Sequence, residues 1–200
     1  MNHVAVVLLA AGSSRRMGQP KQLLPWNEST LLGHAIKSIL SGSASQLFLV
    51  LGAHSDQIAA KVDLSGMTVL INENWQKGLG SSIAFAVGEI NKKHADIEAV
   101  LFLLADQPFI ESKHLDNILQ LHFTQQESII LTRNAEYRGV PVLFPRKFFP
   151  ELLVLSNDEG AKKVIASHKE HVMEVVTKNE TADIDTFDTY VKLRQLDKEI

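Results

Sequence analysis

Residues 4–26 read VAVVLLAAGSSRRMGQPKQLLPW. An unbroken apolar run, Val4 to Leu9, stops at Ala10-Ala11-Gly12. A loop of small residues then carries Ser13, Ser14, Arg15, Arg16, Gly18 and Lys21 before apolar residues resume. Strands of a parallel sheet covered on both faces read as such continuous runs. Gly12 and Gly18 let the backbone approach a ligand closely. Three cations within the seven residues 15–21, on a Gly/Ser loop after a strand, predict a polyphosphate cradle. A surface loop with solvated charges is the plain alternative. Two familiar phosphate loops are excluded by spacing. Five residues separate Gly12 from Gly18, and Gln19-Pro20 precedes Lys21, so the Walker pattern fails; GxGxxG is absent.

Further apolar runs lie at 47–51, 67–71, 100–104, 128–131 and 140–144. Helix-period segments occupy 30–40, 54–62, 81–90 and 112–123. Their alternation, with short connections, predicts an α/β fold with an open, mainly parallel sheet and helices on both faces. Pro141 and Pro145, after Tyr137-Arg138-Gly139, predict an edge strand, because central strands tolerate proline poorly. The stretch 152–167 reads as helix in two pieces around Ser156-Asn157-Asp158. A last helix follows Asp185, with Thr186 as its cap and Phe187, Tyr190, Val191 and Leu193 facing inward.

A chain of 200 residues is long enough for one substantial core, and no repeat, low-complexity tract or linker divides it. The net charge of −3 provides no general pull toward nucleic acid or an anionic membrane, so the cations at 15–21 suit a small anionic ligand. With no cysteine, disulfides, thiolate catalysis, iron–sulfur clusters and Cys-based zinc sites are out. No targeting pattern opens the chain, and its longest apolar run, 99–105, falls far short of a membrane span; a cytoplasmic location is expected. The eight histidines form no HExxH motif, and His168 and His171 read as solvated surface. No GxSxG elbow occurs either.

Three further stretches carry candidate chemistry. VLFLLADQPF, 100–109, ends an apolar strand at Asp106, which lies where open α/β sheets bind ligands. A carboxylate there can hold Mg²⁺ together with substrate phosphates, or it can cap the following turn. DIDTF, 183–187, puts Asp183 and Asp185 on one side of an extended segment, as a second metal ligand or as helix caps. INENWQKGLGSSIAFAV, 71–87, opens an amphipathic helix at Gly78, Gly80, Ser81 and Ser82, whose free N–H groups and hydroxyls could face a ligand. A plain Gly/Ser helix start is the alternative, and Trp75 reads as packing.

The string LLAAGSSRRMGQPKQLLPW resembles the signature loop of nucleotidyltransferases with a MobA-like, Rossmann-like fold. Leu-Ala-Ala-Gly-x-Ser-x-Arg-Met-Gly followed by Pro-Lys is similar to the molybdenum cofactor cytidylyltransferase branch, as is Leu104-Ala105-Asp106-Gln107-Pro108. The resemblance spans nearly the whole chain and implies one domain, 1–200. Its N-terminal half would take the nucleotide, and about 130–185 a phosphorylated acceptor, most simply molybdopterin. Leu9, Ala10, Ala11, Gly12, Ser13, Ser14, Arg16 and Lys21 would then hold the triphosphate. Asn72, Gly80, Ser81 and Ser82 would lie against base and ribose. Arg16, Lys21 and Asp106 would be catalytic, and Asp106 with Asp185 would bind Mg²⁺. Asp183 stands in reserve, since Phe187 replaces the proline of the family's Asp-x-Asp-Thr-Pro. The Ala10-Ala11 pair favours CTP over GTP.

The acceptor half departs from the pattern. Val140 stands where relatives place a polar residue before proline, and SNDEGAK, 156–162, has Asn157 for glycine and Lys162 for arginine. Lysine lacks arginine's bidentate fork. Asn157, Asp158 and Lys162 are nevertheless the expected acceptor contacts. Methylerythritol-phosphate or sugar-phosphate nucleotidyl transfer is an alternative reaction. A non-catalytic protein that delivers the cofactor to a molybdoenzyme partner is the alternative from another class.

Overall fold

The run Val4–Leu9 forms β1, and all six residues are buried. Val4, Val6 and Leu8 enter one core and Ala5, Val7 and Leu9 another, following the two-residue period of a strand. A computed structural model describes residues 3–178 and 181–196. A small hairpin, β2 (Pro25–Trp26) and β3 (Ser29–Thr30), follows β1. Next come α1 (Leu31–Leu40), β4 (Gln46–Leu51), α2 (Ser55–Ala59), β5 (Thr68–Ile71) and α3 (Leu79–Lys93). The second half contains β6 (Ala99–Leu104), α4 (Ser112–Thr124), β7 (Ile129–Arg133), β8 (Arg138–Pro145), α5 (Phe149–Leu152), α6 (Lys162–Ser167), β9 (Val172–Val176) and α7 (Phe187–Leu196).

Seven strands form one sheet in the order β5-β4-β1-β6-β8-β7-β9. β5, β4, β1 and β6 are parallel, β8 is antiparallel to both neighbours, and β7 pairs in parallel with β9. Helices α1, α2 and α4 cover the face of Val4, Val6 and Leu8, while α3, α5 and α6 cover the other. From β1 the chain moves outward through β4 to β5, then returns to lay β6 on the opposite side of β1. Strand order thus reverses between β1 and β6. Ligands of open α/β sheets bind in the crevice at the carboxyl ends of such a pair.

β8 is an interior strand, contrary to the edge position its prolines predict. Leu131 pairs with Val142 but Thr132 with Gly139, so Val140 and Pro141 form a bulge against β7, and pairing with β6 stops at Val142. Pro141 therefore owes no ladder hydrogen bond to either neighbour. The edges are β5 and β9. No apolar run marks β9, because Glu174 interrupts it and much of it is exposed. Helix α2 is shorter than its periodic segment, and α5 and α6 stand ten residues apart rather than flanking a short break.

Thr186 does cap α7, accepting from the Thr189 N–H at 3.2 Å. Only Tyr190 and Leu193 face inward, whereas Phe187 and Val191 are exposed. The inward pair joins Leu24, Trp26, Leu31 and Ile184 in a third apolar cluster, and the Tyr190 hydroxyl donates to the Pro25 carbonyl at 2.6 Å. This cluster returns the end of the chain to the β1–β6 crevice.

Candidate active site

The loop after β1 turns at Ser14 and Gly18, both left-handed with φ near 55° and 65°. At Gly18 glycine takes that conformation without steric cost. The Gln22 side chain is buried beneath the loop, and its Nε2 donates to the carbonyls of Ala10 (2.9 Å) and Gly12 (2.8 Å). The Ala11 carbonyl accepts from the Ala53 N–H at 3.0 Å. Among the described residues, the amides of Gly12 to Arg16 donate to no protein acceptor. A Cβ added at Gly12 would meet no protein atom within 4 Å. Successive unpaired amides of this kind form an anion-binding concavity.

Lys21 reaches from this loop to the end of β6. Its ammonium is hydrogen-bonded to Asp106 Oδ2 and, at 2.9 Å, to Asp185 Oδ1. Arg16 Nη2 donates to the other Asp185 oxygen at 2.9 Å. Burial works against the Lys21 charge, but Asp106 and Asp185 outweigh it and hold the ammonium's pKa above the usual lysine value. Burial likewise acts to raise Asp185. The hydrogen bond and charge of Lys21, with the charge of Arg16, bring it below the ordinary carboxylate range instead. The backbone N–H of Ile184 donates to the Asp106 carbonyl at 3.0 Å, which locks the DID segment against β6. With Ile184 fully buried, Asp183 and Asp185 both face the crevice, as alternation requires. Asp183 is pushed up to about 6, first by burial and then by the neighbouring Asp106 charge, while Gln107 Nε2 donates to it at 2.8 Å.

These residues line a cleft of about 630 Å³, within the range of small-molecule sites. Of the candidate residues singled out in the sequence, Leu9, Ala10, Ala11, Gly12, Ser13, Ser14, Arg16, Lys21, Ser82, Asp106, Asp158 and Asp185 are on its wall. Asn72, Gly80, Ser81, Asn157 and Lys162 are not. Buried Asn72 donates to the Ser81 and Ser82 hydroxyls at 3.2 and 3.1 Å, behind the wall. The Gly80 N–H does not face a ligand; it donates to the Asn157 carbonyl at 2.7 Å. A Cβ at Gly80 would come within 2.9 Å of the Asn157 backbone, so glycine here lets the 156–158 loop dock on α3. Sequence reading missed Gln22, Trp75, Gln76 and Leu79, all on the wall, and Gln107, which holds Asp183. A glutamine beside a lysine shows no sign of being buried, and nothing in the string ADQP shows that Gln107 turns toward Asp183.

Such a crevice suits a polyphosphate and places the protein among the α/β enzymes that work on nucleoside triphosphates. The chain belongs to the MobA-like NTP transferase domain family, whose model matches residues 6–172; it is a nucleotidyltransferase of that family. It is 28% identical to nicotine blue oxidoreductase of Paenarthrobacter nicotinovorans, over 95% of this chain and 96% of that one. It is 24% identical to the molybdenum cofactor cytidylyltransferase of Escherichia coli, over 100% of both. The fold superposes on Rv0371c from Mycobacterium tuberculosis with a TM-score of 0.86 and 30% identity, covering 97% of this chain and 98% of that one. A manganese complex of Rv0371c aligns at a TM-score of 0.82, with 29% identity over 97% and 99% of the two chains.

Proposed function

We propose that this protein transfers CMP from CTP to a phosphorylated acceptor, molybdopterin being the favoured one, with release of pyrophosphate. The observation that carries the reading is Lys21, whose ammonium joins the β1 loop to Asp106 and Asp185. An acceptor phosphate oxygen attacks the α-phosphorus, the bond to the β-phosphate oxygen breaks, and pyrophosphate leaves in line. A phosphate monoester has its second pKa at about 6, so the nucleophile is already ionised and needs no dedicated base. Catalysis then rests on positioning and charge stabilisation. The loop amides and Arg16 take the β- and γ-phosphates, and Lys21 takes charge on the transferring group. Asn72, Gly80, Ser81 and Ser82 shape the base and ribose side, the first three from behind the wall. Asn157, Asp158 and Lys162 serve the acceptor, with Asp158 alone on the cleft wall.

The residues present fit a divalent cation. Asp106 Oδ1 is buried and has no hydrogen-bond partner among the described residues, the condition of a carboxylate oxygen suited to a metal. One ammonium touches both Asp106 and Asp185, so both lie within reach of a single cation. Mg²⁺ held there would neutralise phosphate charge as a Lewis acid.

Because relatives along the whole chain include a protein named as an oxidoreductase as well as a cytidylyltransferase, the substrates need a direct test. The deciding experiment is a pyrophosphate-release screen over CTP, GTP and ATP with phosphorylated acceptors, alongside an NADH and NADPH oxidation arm. CTP-dependent pyrophosphate release supports the proposal; nicotinamide oxidation without it refutes it. Calorimetric titration of the three nucleotides then tests base choice, with a GTP preference counting against Ala10-Ala11 as a CTP signal.

A further inference from the structure

We infer that Gln22 is the positioning residue that shapes the anion cradle, an inference that rests on the triphosphate reading of the β1 loop. Its carboxamide is 3% exposed and lies under the loop rather than at its rim. Nε2 uses both of its protons, on the Ala10 and Gly12 carbonyls, at 2.9 and 2.8 Å. Oε1 accepts from the Ser14 hydroxyl at 3.4 Å, and that hydroxyl accepts from the Lys21 N–H at 3.1 Å. The side chain therefore ties three points of the loop to the turn that carries Lys21.

Peptide geometry turns these bonds into ligand geometry. In a trans peptide the N–H points opposite the C=O. Drawing the Ala10 and Gly12 carbonyls onto Gln22 thus turns the Ala11 and Ser13 amides away from it, and the Ala53 bond does the same for Gly12. Without Gln22 the two carbonyls are free to rotate, and a carbonyl oxygen facing a phosphate repels it. The same side chain keeps Ser14, whose φ is 55°, in register with Lys21. Amide cradle and ammonium are set by one residue that itself needs no contact with the ligand.

The test compares wild type with Gln22→Met, which keeps the length and removes the donors, and Gln22→Glu, which replaces donors with acceptors. Calorimetry with inorganic tripolyphosphate and with CMP separates the phosphate cradle from the base side. We expect tripolyphosphate affinity to fall about ten- to a hundredfold in both variants, the range of one hydrogen bond to a charged group. CMP affinity should change less than threefold, about the scatter between unrelated surface variants. In the pyrophosphate assay KM for the nucleotide should rise more than kcat falls. If Gln22→Glu fails to fold, Gln22→Met carries the comparison, with circular dichroism as the control. Equal loss for tripolyphosphate and CMP, or no loss for either, overturns the inference and leaves the nucleotidyltransferase reading standing. Selective loss of tripolyphosphate binding, in a wild type that releases no pyrophosphate from any nucleotide, supports the cradle and refutes the reaction. A wild type that binds no tripolyphosphate overturns both.

Discussion

Lys21 and Asp106 are each mostly buried, at 16% and 13% side-chain exposure, so neither charge is stable there alone. Asp106→Asn keeps the shape and removes a charge, and pyrophosphate release should fall about a hundred- to a thousandfold, the usual cost of one electrostatic contact in a transition state. Lys21→Ala should lower turnover at least as much. It should also lower the melting temperature, because it leaves Asp106 unpaired. Near-normal release from either variant sinks the assignment. Asp183 behaves differently, since its folded-state pKa is raised from 3.8 to about 6. A carboxyl raised on folding stabilises the protein when protonated; that stability is complete below about pH 4 and is lost as pH rises through about 6. Asp183→Asn retains an oxygen for Gln107 and removes the charge. It should melt higher than wild type at pH 7.5 and no higher at pH 4, with the crossover inside that window. A melting difference that does not vary with pH contradicts the placement of Asp183 beside Asp106.

Element by element, legibility followed the strength of the local signal. β1, β4 and β6 are apolar on both faces, and each stood out as an uninterrupted run; α1 and α4 stood out by their period. β9 is half exposed and offers neither signal, and β8 was misplaced because a bulge hid what its prolines meant. In the site, Asp106 stands out at the end of the apolar β6 run and Lys21 in the cationic Gly/Ser loop after β1, while Asp185 follows from alternation with Asp183 and from the family resemblance. Gln22 was not readable, since its burial depends on a loop folding over it. The most consequential hidden element is the contact that brings the last segment home. Ile184 is wholly buried against Trp26, Leu31 and Tyr190, with a crevice-facing aspartate on either side. Ile184→Ala should cost about 2–5 kcal/mol, as large-to-small core changes do. It should also weaken turnover beyond what the lost stability explains, because the Asp185–Lys21 contact loses its backing. Thermal melts paired with pyrophosphate assays well below the transition separate the two effects. Unchanged turnover in a destabilised protein would show that Asp185 needs no anchor.

At the scale of the whole molecule, the sheet divides its tasks at β1 and β6. The loop after β1 supplies amides and cations, and the loop after β6 supplies a carboxylate. The chain beyond β7 returns with Asp183 and Asp185 to close the crevice from the other side. Charges from three distant segments are mutually compensated there, by Lys21 between Asp106 and Asp185 and by Arg16 on Asp185. Among the described residues no three His, Cys, Asp or Glu side chains are arranged to hold a metal by themselves. Folding should therefore need no divalent cation, while catalysis should depend on one. A triphosphate arriving with its four negative charges competes for Lys21 and Arg16, and whatever it takes from Asp106 and Asp185 frees them for a cation. Metal and nucleotide binding are thus expected to be coupled. EDTA should leave the melting temperature of the protein unchanged and abolish pyrophosphate release. Mn²⁺ alone and CTP alone should each raise the melting temperature slightly. Together they should raise it by more than the sum, with a stability gain approaching the ~3 kcal/mol that a ligand at a hundred times its Kd contributes. A large drop in melting temperature on adding EDTA would mean that the cation belongs to the fold, and additive shifts would mean that Lys21 does not move between the carboxylates and the phosphates.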